Sequence, residues 1–180
     1  MIQIIGGKYR SRQIQTPDEG TVPTKNRVRE ALMSAVGDIL PGATVLDLFA
    51  GSGALGIEAL SRGAKKAYFV DSRNLATKVI TGNLKTLKEG NGLVFTDDFH
   101  SFLRKDGLPK FDLVFLDPPY AEGGYYQEAV SMLLERDLLS EHAAIVMEYE
   151  RGISVDVSSF ARYKEYTYGR TKVLIARKAL

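Results

Sequence analysis

The sequence predicts an α/β protein built on a largely parallel sheet, and three observations predict it. Short apolar strands alternate with helical stretches of about ten residues, the signature of βαβ units. A glycine-rich turn, Gly51-Ser52-Gly53-Ala54-Leu55-Gly56, joins the first of these strands to the first of these helices. The last two strands are separated by only Gly169-Arg170-Thr171, too short for a crossover, so they must close as an antiparallel hairpin.

The elements follow in order. Residues 2–5 and 11–15 read as a short hairpin around the turn 6–10. Val28, Ala31, Leu32, Ala35, Val36 and Ile39 then fall on one helical face, with Thr24 as the N-cap and Pro41-Gly42 as the stop. Strands are expected at 44–49, 67–71, 93–95, 111–117 and 144–149, and helices at 53–62, 74–88, 99–104 and 125–136. The closing hairpin pairs 163–168 with 172–177. The organisation is an N-terminal hairpin-and-helix extension over 1–40 and one main domain over 41–180.

Composition narrows the function classes. The chain has 180 residues, 44% hydrophobic and 26% charged, as an ordinary globular protein has. No stretch approaches the ~18 apolar residues of a membrane span, and residues 1–5 are too short for a signal-peptide core, so the cytoplasm is the expected address. Cysteine is absent and histidine numbers two, His100 and His142, which argues against a thiol nucleophile and a His-built metal site. Both histidines read as structural. The net charge of +2 is unevenly spread: +2 over 1–40, −5 over 41–150 and +5 over 151–180. Basic ends around an acidic middle suggest nucleic-acid contact through the ends.

The glycine turn carries the first chemistry. Gly51, Gly53 and Gly56 match G-x-G-x-x-G, and Asp71 ends the next strand, 20 residues after Gly51. Alone this reads as dinucleotide binding. Asp47, inside the first strand, turns the reading elsewhere: a carboxylate there would repel a pyrophosphate but suits a cationic amine. S-adenosylmethionine has an amino-acid tail, a sulfonium and a ribose, and no phosphate. Its carboxylate can use the helix N-terminus at Gly53, its ammonium Asp47, and its ribose hydroxyls Asp71. Asp98 is placed to accept from the adenine amine with Phe99 packing on the ring; Asp97-Asp98 equally reads as a helix-capping pair.

Asp117-Pro118-Pro119-Tyr120 carries the second. Asp117 ends an apolar strand, and ligands of open α/β sheets sit outside the carboxyl ends of strands. The prolines stiffen the turn and hold an aromatic just after it. This suits methylation of an exocyclic amine on a planar base. Such an NH₂ has its lone pair delocalised into the ring. The Asp117 carboxylate and Pro118 carbonyl can accept from it, favouring a pyramidal nitrogen, while Tyr120 stacks on the base. Asp112, at the start of the same strand, points away from this end and reads as surface.

With these residues in view, the chain resembles the bacterial 16S ribosomal RNA guanine-N2 methyltransferases that act on guanine-966. The resemblance runs from Ile5-Gly6-Gly7-Lys8-Tyr9-Arg10-Ser11-Arg12 through Pro23-Thr24-Lys25-Asn26-Arg27-Val28-Arg29-Glu30, the glycine turn and Asp117-Pro118-Pro119-Tyr120, to Tyr168-Gly169-Arg170-Thr171-Lys172-Val173. It departs at Val22, Lys25 and Asn26, and at Phe99, where the family commonly has a small residue. The resemblance implies a seven-stranded Rossmann-like class I S-adenosylmethionine-dependent methyltransferase fold with its last strand antiparallel. It points to a 30S subunit or late assembly intermediate as substrate; a monomer is expected, and composition already argues against a metal. Lys8, Arg10, Arg12, Thr24, Arg27, Arg29, Arg170 and Lys172 are the RNA-contact candidates, positioning phosphates rather than reading bases.

Four other readings compete, one of them a protein glutamine methyltransferase, which normally has Asn at the position of Asp117. A nicotinamide oxidoreductase would share the glycine turn and Asp71 but leaves Asp47 and Asp117-Pro118-Pro119-Tyr120 unexplained. A DNA adenine-N6 methyltransferase shares the latter motif but usually needs a sizeable target-recognition region. A non-catalytic ribosome-assembly factor could keep the fold, against which intact Asp47, Asp71, Asp117 and Tyr120 argue.

Overall fold

In the computed structural model, which describes residues 1–17, 26–118, 124–150 and 152–179, apolar strands stack into one seven-stranded sheet. Its strands are β3 (Thr44–Asp47), β4 (Lys66–Asp71), β5 (Gly92–Thr96), β6 (Phe111–Leu116), β7 (Leu139–Tyr149), β8 (Arg162–Tyr168) and β9 (Thr171–Arg177), after a two-stranded ribbon of β1 (Ile2–Gln3) and β2 (Gln13–Ile14). The order across the large sheet is β5-β4-β3-β6-β7-β9-β8. Strands β5 to β7 are parallel, and β9 is antiparallel to both of its neighbours. The hairpin expected from three connecting residues is therefore present, with β9 inserted between β7 and β8. The chain leaves β3 toward β4 on one side and reaches β6 on the other, so the order reverses between β3 and β6. That is where an open α/β sheet leaves a crevice at its carboxyl edge.

Helices α1 (Asn26–Ala35), α2 (Ala54–Ser61), α3 (Asn74–Thr86), α4 (Phe99–Leu103) and α5 (Tyr125–Glu135) complete the described elements. Strand alternation divides the core between the two faces of the sheet. Val45, Leu113, Phe115 and Val146 pack with residues of α1, α2 and α3, whereas Leu46, Val114, Leu116 and Met147 pack with α4 and α5. All eight residues of α2 are buried. At Gly56 this helix approaches β4 so closely that a Cβ would lie 2.3 Å from the Phe69 ring, which explains the third glycine of the turn.

Several expected boundaries move. Helix α1 ends at Ala35 rather than 39, and the chain continues through tighter turns such as Ile39 N–H to Val36 O, 2.9 Å. Strand β7 begins at Leu139, five residues early, because Phe111 pairs with Leu139 before a register shift brings Leu113 opposite Ala144. The N-terminal 40 residues do not pack as a separate unit: Ile2, Ile4, Ile14, Val28, Leu32 and Met33 share one core with β3, α2 and α3. Asp112 is not the surface residue its position suggests. It is half-buried and accepts from Thr44 N–H at 2.8 Å and Ser140 Oγ at 2.6 Å, tying β3, β6 and β7 together at the amino edge. No helix among the described residues is long and apolar enough to cross a membrane.

Candidate active site

The glycine turn is built by backbone that leaves the sheet and is caught on both sides. After β3, Ala50 N–H donates to Val70 O at 2.9 Å, and Gly53 N–H closes on Ala50 O at 2.8 Å. Gly51 (φ 57°) and Gly53 (φ 81°) adopt the left-handed region that disfavours side chains. A Cβ on Gly51 would meet nothing within 4 Å, so the turn presents open space to a ligand. Asp71 leaves β4 and accepts from Gly51 N–H at 2.9 Å and from Arg73 N–H at 3.0 Å, which fixes the turn.

Asp47 lies beneath. It is 3% exposed, and its Oδ2 accepts from Gly56 N–H at 3.1 Å, an amide in the first turn of α2 with no partner inside the helix. Burial pushes its carboxyl up to about 7; the Gly56 bond opposes the rise and the Asp71 charge adds to it. Among the described residues nothing donates to its Oδ1. Space above Gly51, a buried carboxylate and a second carboxylate at the rim suit a cationic amine and a ribose. The residues present therefore fit S-adenosylmethionine.

Asp117 follows β6, half-buried, with Pro118 buried behind it. Burial holds its carboxyl well above the usual range, and the carboxylates of Glu148, Asp47 and Glu150 push it further. Tyr120, like Thr24, lies outside the described residues. The crevice thus has Asp47 at the end of β3 and Asp117 just past the neighbouring β6, the two strands at which the order reverses.

With this geometry in hand, similarity to known proteins is decisive. The family model described as Conserved hypothetical protein 95 matches residues 2–177. Ribosomal RNA small subunit methyltransferase D of Escherichia coli K12 is 37% identical over 172 residues, 94% of this chain and 86% of that protein. The chain belongs to this methyltransferase D family. Its Haemophilus influenzae namesake is 37% identical over 154 residues, 83% of this chain and 79% of that one. The solved structure of Escherichia coli yhhF superposes with a TM-score of 0.88 at 34% identity, covering 99% of this chain and 98% of that one. The fold is the expected class I methyltransferase fold, and the nicotinamide reading falls.

The other expected site residues are placed unevenly. Asp98 caps α4, accepting from Ser101 N–H at 2.9 Å and Ser101 Oγ at 2.7 Å. Phe99 is 5% exposed, its ring between Phe49 and Tyr125 at 5.2 and 4.8 Å, so packing claims most of it. His100 bridges α4 to α5 through Glu128, 2.9 Å away. Arg10, Arg12, Arg27 and Arg170 are exposed. Lys8 is paired with Glu89 at 3.0 Å and Lys172 with Glu165 at 3.8 Å.

Arg29 is a correction. It is fully buried, donating to Glu58 at 3.2 Å, to Asn26 Oδ1 at 2.9 Å and to the Gln3 carbonyl, and no phosphate can reach it. Helical spacing explains the misreading: Arg29 adjoins Val28 on the buried side of α1, and only the partner, 29 residues away, marks it as interior. Sequence reasoning also missed Glu58, which accepts from Ile5 N–H at 2.9 Å and Gly6 N–H at 3.1 Å besides Arg29 and Arg62. It missed Asn83, which bonds both the N–H and the carbonyl of Gln15 and donates to Ser52 O in the glycine turn at 3.1 Å. A glutamate inside an apolar helix was the available signal for the first.

Proposed function

We propose that this chain transfers a methyl group from S-adenosylmethionine to the exocyclic N2 amine of a guanine in 16S ribosomal RNA. Membership of the methyltransferase D family carries the activity class, and Asp117 at the strand-order reversal, beside the glycine turn, carries its location. S-adenosylmethionine supplies an electrophilic methyl on a sulfonium. Asp47, Gly51, Gly53 and Asp71 are the residues that would hold it: Asp47 toward the ammonium, Asp71 toward the ribose, and the two glycines by letting backbone approach. Asp98 keeps acceptor capacity for the adenine amine, with the edge of Phe99 beside it.

The chain's own chemistry then falls to Asp117, Pro118 and Tyr120. Asp117 accepts a hydrogen bond from the amine together with the Pro118 carbonyl, which strengthens as the nitrogen becomes pyramidal and so acts on the transition state. A carboxyl with raised proton affinity is also a competent acceptor for the proton that the amine must lose. Tyr120 holds the extruded base by stacking, an effect of roughly 1–3 kcal/mol. Lys8, Arg10, Arg12, Thr24, Arg27, Arg170 and Lys172 are proposed as RNA contacts. Two observations support them. Arg27 acts electrostatically on Tyr168, which sets it near the β8–β9 turn that carries Arg170, and Arg10, Arg12, Arg27 and Arg170 are exposed. Residues 1–40 are the RNA-facing extension and 41–180 the catalytic body. The substrate is 16S RNA within the 30S subunit or a late assembly intermediate, and the enzyme acts as a cytoplasmic monomer.

Single-turnover methylation of undermethylated 30S particles, followed by mapping of the modified nucleotide, tests the reading. Transfer to an adenine, or no transfer with the cofactor bound, would overturn it.

A further inference from the structure

Alternation along β6 and β7 fixes which face each side chain takes. On β6, Leu113 and Phe115 lie on the α1–α2–α3 face and Val114 and Leu116 on the other. On β7, Ala144 and Val146 lie on the first face and Ile145 and Met147 on the second. Asp117 and Glu148 are the next residues of their strands and so fall together on the first face. Leu116 pairs with Met147, which makes Asp117 and Glu148 lateral neighbours at the carboxyl edge. Adjacent strands lie roughly 4.7–4.9 Å apart.

The end of β7 is held firmly. Glu148 pairs with Val173 of β9, and its carbonyl accepts from the Tyr126 hydroxyl on α5. Electrostatics agree with the register: Glu148 is the charged group that acts most on Asp117. Asp112, the other acid of β6, sits at the opposite edge, bonded to Thr44 and Ser140. Two carboxylates side by side in a half-buried crevice offer paired acceptors, which a ligand with two adjacent donors matches.

Guanine is such a ligand. Its Watson–Crick edge carries the N2 amine and, adjacent to it, the N1–H, both donors. Adenine presents a donor amine beside an N1 acceptor, which a carboxylate would repel. We propose that Glu148 selects the base, its carboxylate receiving the N1–H of the guanine whose N2 amine faces Asp117. This rests on the methyltransferase reading above. Asp117 then serves the reacting amine, and Glu148 decides which base can offer one.

The test uses 30S particles reconstituted with guanine or 2-aminopurine at the target position. 2-Aminopurine keeps the N2 amine but has an acceptor at N1. The parent enzyme is expected to methylate guanine in preference to 2-aminopurine by about a hundredfold or more, since a site built to bond a group rejects an analogue that lacks it. Glu148→Gln, whose amide can donate to an N1 acceptor, should bring the two bases within about tenfold. Glu148→Asp should lower the rate and keep the preference. Equal loss on both bases in Glu148→Gln overturns the assignment of Glu148 while leaving the enzyme a guanine methyltransferase. No transfer to guanine by the parent overturns the functional reading, and this proposal with it.

Discussion

The N-terminal segment and the carboxyl edge of the sheet treat charge in opposite ways. Around Glu58, two arginines and two backbone amides converge on one buried carboxylate, and Ser61, Asn83 and Glu89 add further bonds to the same segment. Each of these donors meets an acceptor. At the carboxyl edge, Asp117 faces Glu148, Asp47 and Glu150, and burial with like charge raises its proton affinity. Opposite charges brought together are how a chain fastens an appendage. Like charges kept together, at a cost to stability, mark a place where a ligand completes the electrostatics.

The largest effects should separate the two regions cleanly. Glu58→Ala leaves the buried Arg29 guanidinium without its carboxylate and should lower stability by about 3–5 kcal/mol, read as a large fall in Tm. A Tm within a degree or two of the parent would break the contrast, because Glu58 would then be no fastener. Asp117→Ala should do the reverse: a Tm equal to or above the parent's, with single-turnover transfer reduced about a hundredfold or more, as loss of one transition-state acceptor predicts. Near-parental chemistry would remove Asp117 from the mechanism. The parent's rate should also rise with pH through a midpoint above the usual carboxylate range, since a protonated Asp117 cannot accept the amine's proton.

Asp47 sharpens the comparison with a sign. Its folded carboxyl is pushed up to about 7, above its ordinary value of 3.8, so the folded chain holds a proton there that the unfolded chain releases. Stability attributable to this group is present at low pH and is lost as pH rises from about 4 to about 7. Asp47→Asn, which can still accept from Gly56, should therefore raise Tm by a few degrees at pH 8 and leave it unchanged at pH 4, while weakening S-adenosylmethionine in calorimetry. A Tm difference independent of pH would show that Asp47 is charged in the folded state across that range.

Smaller effects are expected at the periphery. Asp71→Ala should weaken cofactor binding about tenfold or more, since a charge-assisted bond contributes about 1.5–3 kcal/mol, and leave RNA affinity intact. Reversing Arg10 and Arg12 together should flatten the salt dependence of RNA binding by somewhat less than about one log–log unit for each phosphate no longer neutralised. An unchanged slope would confine the N-terminal segment to structure.

What the sequence determined alone is what short-range physics controls. Alternation and helical spacing placed the strands and helices, the three glycines placed the turn, and a three-residue connection forced the closing hairpin. The motif residues Asp47, Asp71 and Asp117 were legible because each sits at a fixed offset from such an element. Residues whose meaning depends on a distant partner were not. Arg29 resembles a surface cation in sequence because Glu58 lies 29 positions on, and Asp112 a surface acid because Thr44 and Ser140 reach it only once three strands align. Glu148 is silent in sequence because nothing in its neighbours distinguishes it. Strand register alone sets it beside Asp117, and register is fixed by the packing of both faces of the sheet at once.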